Sequence, residues 1–451
     1  MCKLEGAMWG SLAGRNLRSW YGRGAHFSAA IGLGAGLVFV CALPASAQIA
    51  PEYHFTPDIF EDEVPRGETV RTRARPELDA LGLHVGSFYI FPSLTNGISY
   101  NDNVFATRND EQGDFLYTLR PQIAARSDWN QHAVGLSAGG DLGFYFDETD
   151  ENYKDAFATA TGKLDISSSS VLRGEVNLRR DHEVRGDPND TGGTEPTVFY
   201  TYAGQVDGSH RFNRLTLSAG GEVRRLEFDD VETAMGSVDQ SHRDRVLYRP
   251  GVRAAYEFHP GYSAFTRAEG KIVRYDEAFD PNGFKRDSQG YDVVGGAAID
   301  LTGLLFGDFF AGIRQRYFED SRFDTVTGPV VGATMTWIPT GLTTVILKVN
   351  SEIIESTDAD TSSYQSTGLA LTVDHELLRN LILTAGGGFR YDDFEGVSRT
   401  DKFFTGIVGA SYLWNRYLSL TARYIYSHRD SDEASAEYTR NLISLLLTAK
   451  L

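Results

Sequence analysis

The sequence predicts an all-β fold: a transmembrane, antiparallel, up-and-down β-barrel of about 18 strands, in the range 16–18. Three observations lead to this fold class. From about residue 85 to the end of the chain, apolar and polar residues alternate in stretches of roughly ten to fifteen residues, which is the period of a β-strand. Short turns and long acidic loops alternate between these stretches. The polar face of each stretch is too charged to form a dry core.

The composition excludes several other classes of protein. Of 451 residues, 41% are hydrophobic and the mean hydropathy is -0.29, which excludes a bundle of membrane-spanning helices. The chain has 43 Lys+Arg against 61 Asp+Glu, a formal net charge of -18. This balance disfavours a nucleic-acid binder, because such proteins need clustered cations. The 47 glycines and 12% aromatic residues also differ from the composition of a disordered acidic chain.

Residues 1–47 have the parts of a secretory signal peptide. A basic stretch precedes an apolar run over residues 28–43, and the segment ends in Ala-Ser-Ala at residues 45–47. The apolar run is short for a spanning helix, and a small-x-small ending suits signal peptidase. We therefore expect an exported mature chain, with an uncleaved anchor as the alternative. Both cysteines of the sequence lie in this leader, so we expect no disulfides in the mature fold.

Residues 48–84 predict a mobile periplasmic N-terminal segment. This stretch is rich in proline and charge and shows no sustained apolar period, which is typical of a segment that buries too little surface to fold alone. The predicted domains are therefore a signal peptide at 1–47, this segment at 48–84 and the barrel at 85–451. We expect the segment either to dock on a periplasmic partner or to plug the lumen.

The predicted strands each have one apolar and one polar face. Residues 115–126, 172–179 and 418–424 place apolar side chains at alternate positions, with Arg, Glu, Thr or Ser among the residues between them. The last segment, residues 443–451, continues this alternation to the end of the chain. It resembles the closing strand that the outer-membrane assembly machinery recognises, although it ends in Leu451 and not in an aromatic residue.

Eight short turns and nine long loops connect the predicted strands. The nine loops hold 39 of the 60 Asp+Glu found in residues 48–451, but 9 of the 39 Lys+Arg. A string of soluble sandwich domains has no reason to concentrate acid on every second connection. The short turns lie at residues 127–131, 167–170, 211–214, 259–262, 303–306, 339–342, 375–380 and 415–416. The long loops lie at residues 102–114, 147–155, 181–196, 227–244, 276–290, 318–328, 352–362, 391–401 and 428–437.

A protein built of strands can cross hydrocarbon only as a closed barrel, because every backbone polar group needs a partner. Outer-membrane barrels combine short periplasmic turns, longer outer loops and aromatic girdles at both interfaces. We therefore predict a location in the cell outer membrane, in contact with its lipid, and a water-filled channel. Candidate girdle residues are Trp129, Phe212, Trp337 and Trp414 near the short turns, and Tyr145, Phe228, Tyr275, Tyr317 and Tyr391 near the long loops.

Charged residues at mid-strand positions are predicted to line the lumen. Their cations could guide acidic sugars along a polar path; alternatively, they form cross-strand ion pairs that only satisfy a charged interior. The predicted lumen residues are Arg120, Arg126, Arg173, Glu175, Arg179, Glu222, Arg224, Arg253, Glu257, Arg267, Glu269, Lys271, Arg314, Lys348 and Arg423.

Five short motifs carry a resemblance to an outer-membrane beta-barrel porin family. They are SYNDNVFAT at 99–107, RPQIAARSDWNQHAV at 120–134, SHRFNRL at 209–215, DHELLRNL at 374–381 and EYTRN at 437–441. The resemblance covers the whole predicted barrel, from about Gly86 to Leu451. The family is similar to barrels encoded beside exopolysaccharide synthesis and export machinery in Gram-negative bacteria. The resemblance therefore implies that the protein is an exit conduit for a secreted polysaccharide and works with a periplasmic polysaccharide-export protein.

The sequence predicts no catalytic residues, no cofactor and no metal site. Acidic loop segments at 147–151 and 187–190 could hold divalent cations, but neither follows the EF-hand pattern, so we favour solvated loops. Residues 67–70 (GETV) resemble an energy-coupling box of outer-membrane transporters. The chain is too short for both a barrel of about 22 strands and a plug domain, so we treat this match as chance. An enzyme is the least favoured function.

The sequence alone therefore leaves three possible functions. The first is the polysaccharide exit conduit. The second is a general or sugar-selective diffusion porin, which predicts a constricting loop inside the lumen, with residues 227–244 as the longest candidate. The third is a structural or adhesive surface barrel, which predicts an occluded lumen.

Overall fold

The computed structural model describes residues 67–301, 303–358 and 361–451. They form a closed barrel of 18 antiparallel strands, which confirms the predicted fold class. Within these ranges, no helix is long and apolar enough to cross a membrane. The predicted signal peptide and the first part of the predicted N-terminal segment lie outside the described residues.

The described residues contain twenty-one strands, numbered in chain order. Eighteen of them form the barrel. The short strand β1 pairs antiparallel with the first residues of β2, and β9 and β10 form a separate hairpin within an outer loop. The strands are β1 Leu83–Val85, β2 Phe88–Asn101, β3 Asp114–Ser127, β4 Ala133–Tyr145, β5 Tyr153–Ser167, β6 Ser170–His182, β7 Val198–Phe212, β8 Leu215–Phe228, β9 Val231–Thr233, β10 Gly236–Val238, β11 Arg245–His259, β12 Tyr262–Tyr275, β13 Ser288–Leu301, β14 Leu305–Phe318, β15 Val326–Thr340, β16 Thr343–Glu355, β17 Ser363–Leu378, β18 Leu381–Phe394, β19 Thr400–Leu413, β20 Leu418–Ser431 and β21 Tyr438–Lys450. Three-residue 3-10 helices lie at Thr149–Glu151, Ser241–Arg243 and Ala434–Ala436.

Each barrel strand pairs with the next one along the chain, and β2 pairs with β21 to close the ring. The closing ladder runs from Ser93 opposite Lys450 to Asn101 opposite Leu442. Every predicted short turn and long loop lies at a junction between consecutive barrel strands. The strand count could be predicted because the two-residue period and the turn residues are local properties of the sequence.

The two faces of the sheet have the reverse polarity of a soluble protein. On β2, Leu94 and Ile98 are 39% and 40% exposed, whereas Thr95 and Ser99 on the other face are 7% and 6% exposed. Successive side chains of a strand point to opposite faces. The exposed apolar face suits hydrocarbon, and the buried polar face lines the interior of the barrel.

Part of the predicted outer girdle is wrong. Tyr145 stands opposite Leu116, which is 1% exposed, and Tyr145 packs against an internal apolar cluster. The ring of Phe228 lies 4.0 Å below the guanidinium carbon of Arg243. Both rings therefore face the interior, because a shift of one residue in register moves a side chain to the opposite face. Tyr275, stacked with Arg245, also faces inward. The outward aromatic residues near the long loops include Tyr100, Tyr117, Phe144, Tyr202, Tyr248, Tyr291, Tyr317 and Tyr424.

Gly307 in β14 provides a test of the ladder. Its φ is +146°, a region that residues with side chains rarely adopt, and a Cβ there would meet the carbonyl oxygen of Thr334 in β15. We expect Gly307→Ala to destabilise the barrel by about 1–3 kcal/mol. The measurement is the fraction of protein that migrates as folded barrel on an unheated denaturing gel after warming through a temperature series. Gly162→Ala in β5 is the control, since a Cβ there meets nothing within 4 Å. Equal heat resistance of the two variants would contradict this account.

Candidate functional site

The interior of the barrel is the candidate functional site. The strand register places all fifteen predicted lumen residues on the face of the sheet opposite the exposed apolar side chains. For example, Glu269 of β12 stands opposite Asp292 of β13, which stands opposite Arg314 of β14. That these residues line a path for solutes stays a prediction.

Several of these cations bind carboxylates of the same wall. Arg120 Nε lies 2.7 Å from Asp141 Oδ2, and Arg314 Nη2 lies 2.8 Å from Asp292 Oδ2. At both sites the partner is on the neighbouring strand, as the ion-pair alternative predicts. The same holds for the pair of Arg173 with Asp207, whereas Arg224 with Glu222, Arg267 with Glu269 and Arg179 with Asp181 are pairs along one strand. Outside these pairs, Glu257 binds Arg211.

Aromatic rings also hold lumen cations against the wall. The guanidinium carbon of Arg253 lies 4.3 Å from the centre of the Phe265 ring, and that of Arg267 lies 4.5 Å from the centre of the Phe310 ring. Arg126 lies 5.2 Å from the Phe91 ring. Such cation–π contacts flatten long side chains onto the sheet. The sequence pattern does not reveal them, because they join residues on different strands.

Residues 183–197, between β6 and β7, form a loop that we call the crossing loop. Its position is fixed by Arg185, whose Nη2 atom lies 2.6 Å from Glu151 Oε1 and donates to the Gly193 carbonyl at 2.8 Å. The two charged side chains are 7% and 4% exposed. A buried pair of this kind is costly to break, because either partner alone would be an uncompensated buried charge.

The crossing loop reaches strands on other parts of the ring. Arg440 in β21 donates to the Arg185 carbonyl at 2.7 Å, and Arg429 in β20 donates to the Gly186 carbonyl at 3.2 Å. On the far side, Asn189 Nδ2 donates to the carbonyl of Glu355, the last residue of β16, at 3.2 Å. The loop therefore spans the lumen and narrows it near the outer end.

The constricting loop is not the one that its length suggested. In residues 227–244, β9 and β10 form a hairpin whose tip residue, Met235, is 99% exposed. The end of this stretch braces the crossing loop, since Arg243 donates to Glu183 at 3.2 Å. Burial raises the pKa of the Glu183 carboxyl, and Arg243 offsets only part of that rise. Gly186 and Gly192 have φ angles of +87° and +68° in the turns of the shorter loop, but glycines with positive φ also occur in other long loops, so they do not single it out in the sequence.

An apolar cluster fills part of the lumen beneath the crossing loop. Leu116, Tyr153, Ile425 and Leu442, from four different strands, are each at most 7% exposed and pack together. These side chains belong to the inward face. The outer half of the lumen is therefore partly filled by side chains, and its free cross-section is smaller than the predicted wide, water-filled channel implies.

Residues 67–82, which we call the N-terminal clasp, lie against the inner wall near the short turns. The Val70 amide donates to Thr344 Oγ1 at 2.8 Å, and Val70 is 1% exposed. Arg71 Nε lies 2.5 Å from Asp374 Oδ2, and Arg75 Nη2 lies 2.6 Å from Glu376 Oε2. The prediction of a mobile segment over residues 48–84 does not anticipate these contacts, because they join positions about 300 residues apart.

Comparisons with known proteins agree with a barrel. Residues 75–451 match the model of a family described as "Putative beta-barrel porin 2". Similar solved structures include three from Pseudomonas aeruginosa. OccK2 (OpdF) is 14% identical, with 80% of this chain and 98% of that chain covered and a TM-score of 0.43. OpdL is 15% identical, with 81% and 100% covered and a TM-score of 0.41. OccK1 (OpdK) is 12% identical, with 80% and 98% covered and a TM-score of 0.44. No curated protein sequence matches the chain.

Arg185→Ala tests the crossing loop. The substitution leaves Glu151 buried without its partner, a local cost of about 3–5 kcal/mol, which should release the loop from the lumen. We expect a higher and noisier single-channel conductance in planar bilayers. Arg322→Ala is the control, because Arg322 also pairs with a loop carboxylate, Asp320, but is 51% exposed. A conductance that matches that of Arg322→Ala and the unaltered protein would rule out a constriction held by Arg185.

The double variant Asp374→Asn with Glu376→Gln tests the N-terminal clasp. It removes the buried carboxylates that hold Arg71 and Arg75, so the clasp should leave the wall and the conductance should rise. The control is Asp276→Asn, whose partner Arg225 lies on the face of β8 that points away from the lumen. The heat-resistance assay shows whether the barrel itself remains folded. A folded double variant with unchanged conductance would show that the clasp does not narrow the channel.

Proposed function

The chain belongs to the putative beta-barrel porin 2 family, and on this premise we propose that it is an outer-membrane diffusion channel for small polar solutes. The crossing loop is its constriction. The N-terminal clasp narrows the periplasmic mouth.

One observation carries this proposal: the crossing loop bonds to both sides of the lumen. Its base pairs with Glu151 beside β5, and Asn189 reaches the end of β16. A secreted polymer would have to pass a loop held by a buried ion pair, whereas a small solute needs only the space that the loop leaves. The geometry therefore supports diffusion of small molecules better than passage of a chain.

The charges of the lumen support weak selectivity for solute charge. Arg120, Arg173 and Arg314 each bind a carboxylate on the neighbouring strand. Paired charges leave a smaller net field along the path than the count of arginines suggests. The acidic outer loops add repulsion against polyanions that approach from outside.

Export of an exopolysaccharide with a periplasmic partner is implied only by the resemblance found in the sequence. Neither the matched family nor the lumen geometry adds support for that role. A structural or adhesive barrel differs from both channels in a measurable way, because it requires no solute flux.

Cells that lack the gene distinguish the three functions. We expect slower uptake of a small sugar and normal extracellular polysaccharide, with uptake restored by the gene and increased further by the Arg185→Ala gene. Uptake of radiolabelled arabinose and the mass of secreted polysaccharide are measured in parallel. Loss of polymer with normal uptake would contradict the proposal and favour the export conduit. Normal values of both would favour a structural barrel.

A further inference from the structure

One seam of the barrel is paired over only part of its height. β15 and β16 pair from Thr340 opposite Thr343 to Ala333 opposite Val349, with six residue pairs in all. Above this point, residues 326–332 and 350–355 do not pair with each other, although all of them lie within the described part of the chain. Both strands remain paired on their other sides up to their outer ends. We call this stretch, where no residue pairs join β15 to β16, the open seam.

The outer half of β16 lies on the lumen side of β15. In the paired part, Val345 and Leu347 stand opposite Trp337 and Met335 on the membrane face. The two-residue period continues this face to Glu355. Yet Glu355 Oε1 lies 2.9 Å from Nη1 of Arg316, which belongs to the lumen face of β14. The membrane face of β16 has therefore turned to meet the lumen face of β14, behind β15.

Two predicted lumen cations satisfy the freed edge of β16. Arg314 Nη2 donates to the Ser351 carbonyl at 2.9 Å, and Lys271 Nζ donates to the Ile353 carbonyl at 3.1 Å. In a complete ladder, backbone amides of β15 would face this edge. A buried carbonyl needs a donor, and here long side chains from β14 and β12 supply it. These two carbonyls therefore have donors without β15.

The matching edge of β15 is protected in a different way. Pro329 has no N–H group to leave unpaired, and its carbonyl accepts from Gln365 Nε2 of β17 at 3.3 Å. Prolines and side-chain covers are common devices that protect unpaired strand edges. Both edges therefore persist apart, and side-chain contacts take the place of ladder hydrogen bonds.

Part of the lining of the open seam is apolar. Val326 and Val330 of β15 and Ile353 of β16 are each 3% exposed. They lie in the half of the barrel that carries the long loops, next to the outer leaflet. Because charged side chains border it on the lumen side, a passage through the wall at this point would suit an amphiphilic molecule that carries an apolar chain or ring.

We propose that the open seam is a lateral port, through which a small apolar or amphiphilic molecule moves between the lumen and the outer leaflet. To open, the port must break the contact of Gln365 with Pro329, part the apolar side chains and loosen the side-chain contacts that hold β16 to β12 and β14, but it breaks no strand ladder. At the other seams of the barrel wall, nine or more residue pairs join the neighbouring strands, so a lateral opening would break more ladder hydrogen bonds in a medium that offers no replacement partners. This route is separate from axial diffusion of polar solutes and stands independently of it.

A cysteine pair across the seam tests the port. A Cβ at Gly328 would lie 2.5 Å from Gln365 Oε1, so Gly328→Cys with Gln365→Cys places two thiols across the seam, and oxidation is used to join β15 to β17. The natural cysteines lie within the predicted leader. The probe is N-phenyl-1-naphthylamine, an apolar dye that fluoresces in membranes, added to cells that lack or carry the gene. Oxidation should abolish the protein-dependent entry of the dye, reductant should restore it, and arabinose uptake should not change.

The control pair is Met335→Cys with Leu347→Cys, which stand directly opposite each other in the paired part of the same seam. Its oxidation should not alter entry of the dye. A second variant, Gln365→Ala, removes the hydrogen bond to the Pro329 carbonyl and should accelerate entry of the dye. This variant tests the port if the cysteines at residues 328 and 365 do not cross-link. Equal dye entry with and without the protein, or entry unaffected by either seam variant, would overturn the proposal. Loss of arabinose uptake alone bears on the axial channel and not on the port.

Discussion

The whole structure depends on one constraint: hydrocarbon offers no partner to a backbone N–H or C=O group. The ring closes between β2 and β21 for this reason, and every strand is long enough to be paired across the membrane. The same constraint explains why the open seam is built as it is. Where the ladder between β15 and β16 stops, Arg314 and Lys271 supply donors and Pro329 removes one. At the open seam, side-chain donors and a proline therefore meet the requirement that ladder hydrogen bonds meet elsewhere in the wall.

Charged residues inside the barrel mainly hold loops and the N-terminal clasp in place. Arg185 with Glu151 fixes the crossing loop, and Arg75 with Glu376 fixes the N-terminal clasp. Both pairs are almost fully buried, and a buried pair resists the loss of one partner far more than an exposed pair does. A buried ion pair thus holds a segment of chain at each end of the lumen. Because so many cations are used in this way, their number says little about which solutes pass.

The strands could be predicted from the sequence, whereas the features that narrow the lumen could not. A two-residue period and the turn residues are local, so the 18 strands and the position of each connection were accessible. The contact of Asn189 with the end of β16 joins residues 166 positions apart, and no local pattern encodes it. Tyr145 shows a different limit. Its place beside a long loop suggested a girdle, but its face depends on a register that one residue can reverse.

The constriction and the open seam share one structural element, the outer end of β16. Its last residue, Glu355, accepts a hydrogen bond from Asn189 of the crossing loop through its carbonyl and binds Arg316 through its carboxylate. The next loop is held by Arg286, which donates to the Ser356 carbonyl at 2.8 Å. The inward bend that separates β16 from β15 is therefore also the bend that brings β16 to the crossing loop. The crossing loop and the open seam therefore both make contacts with this one strand end.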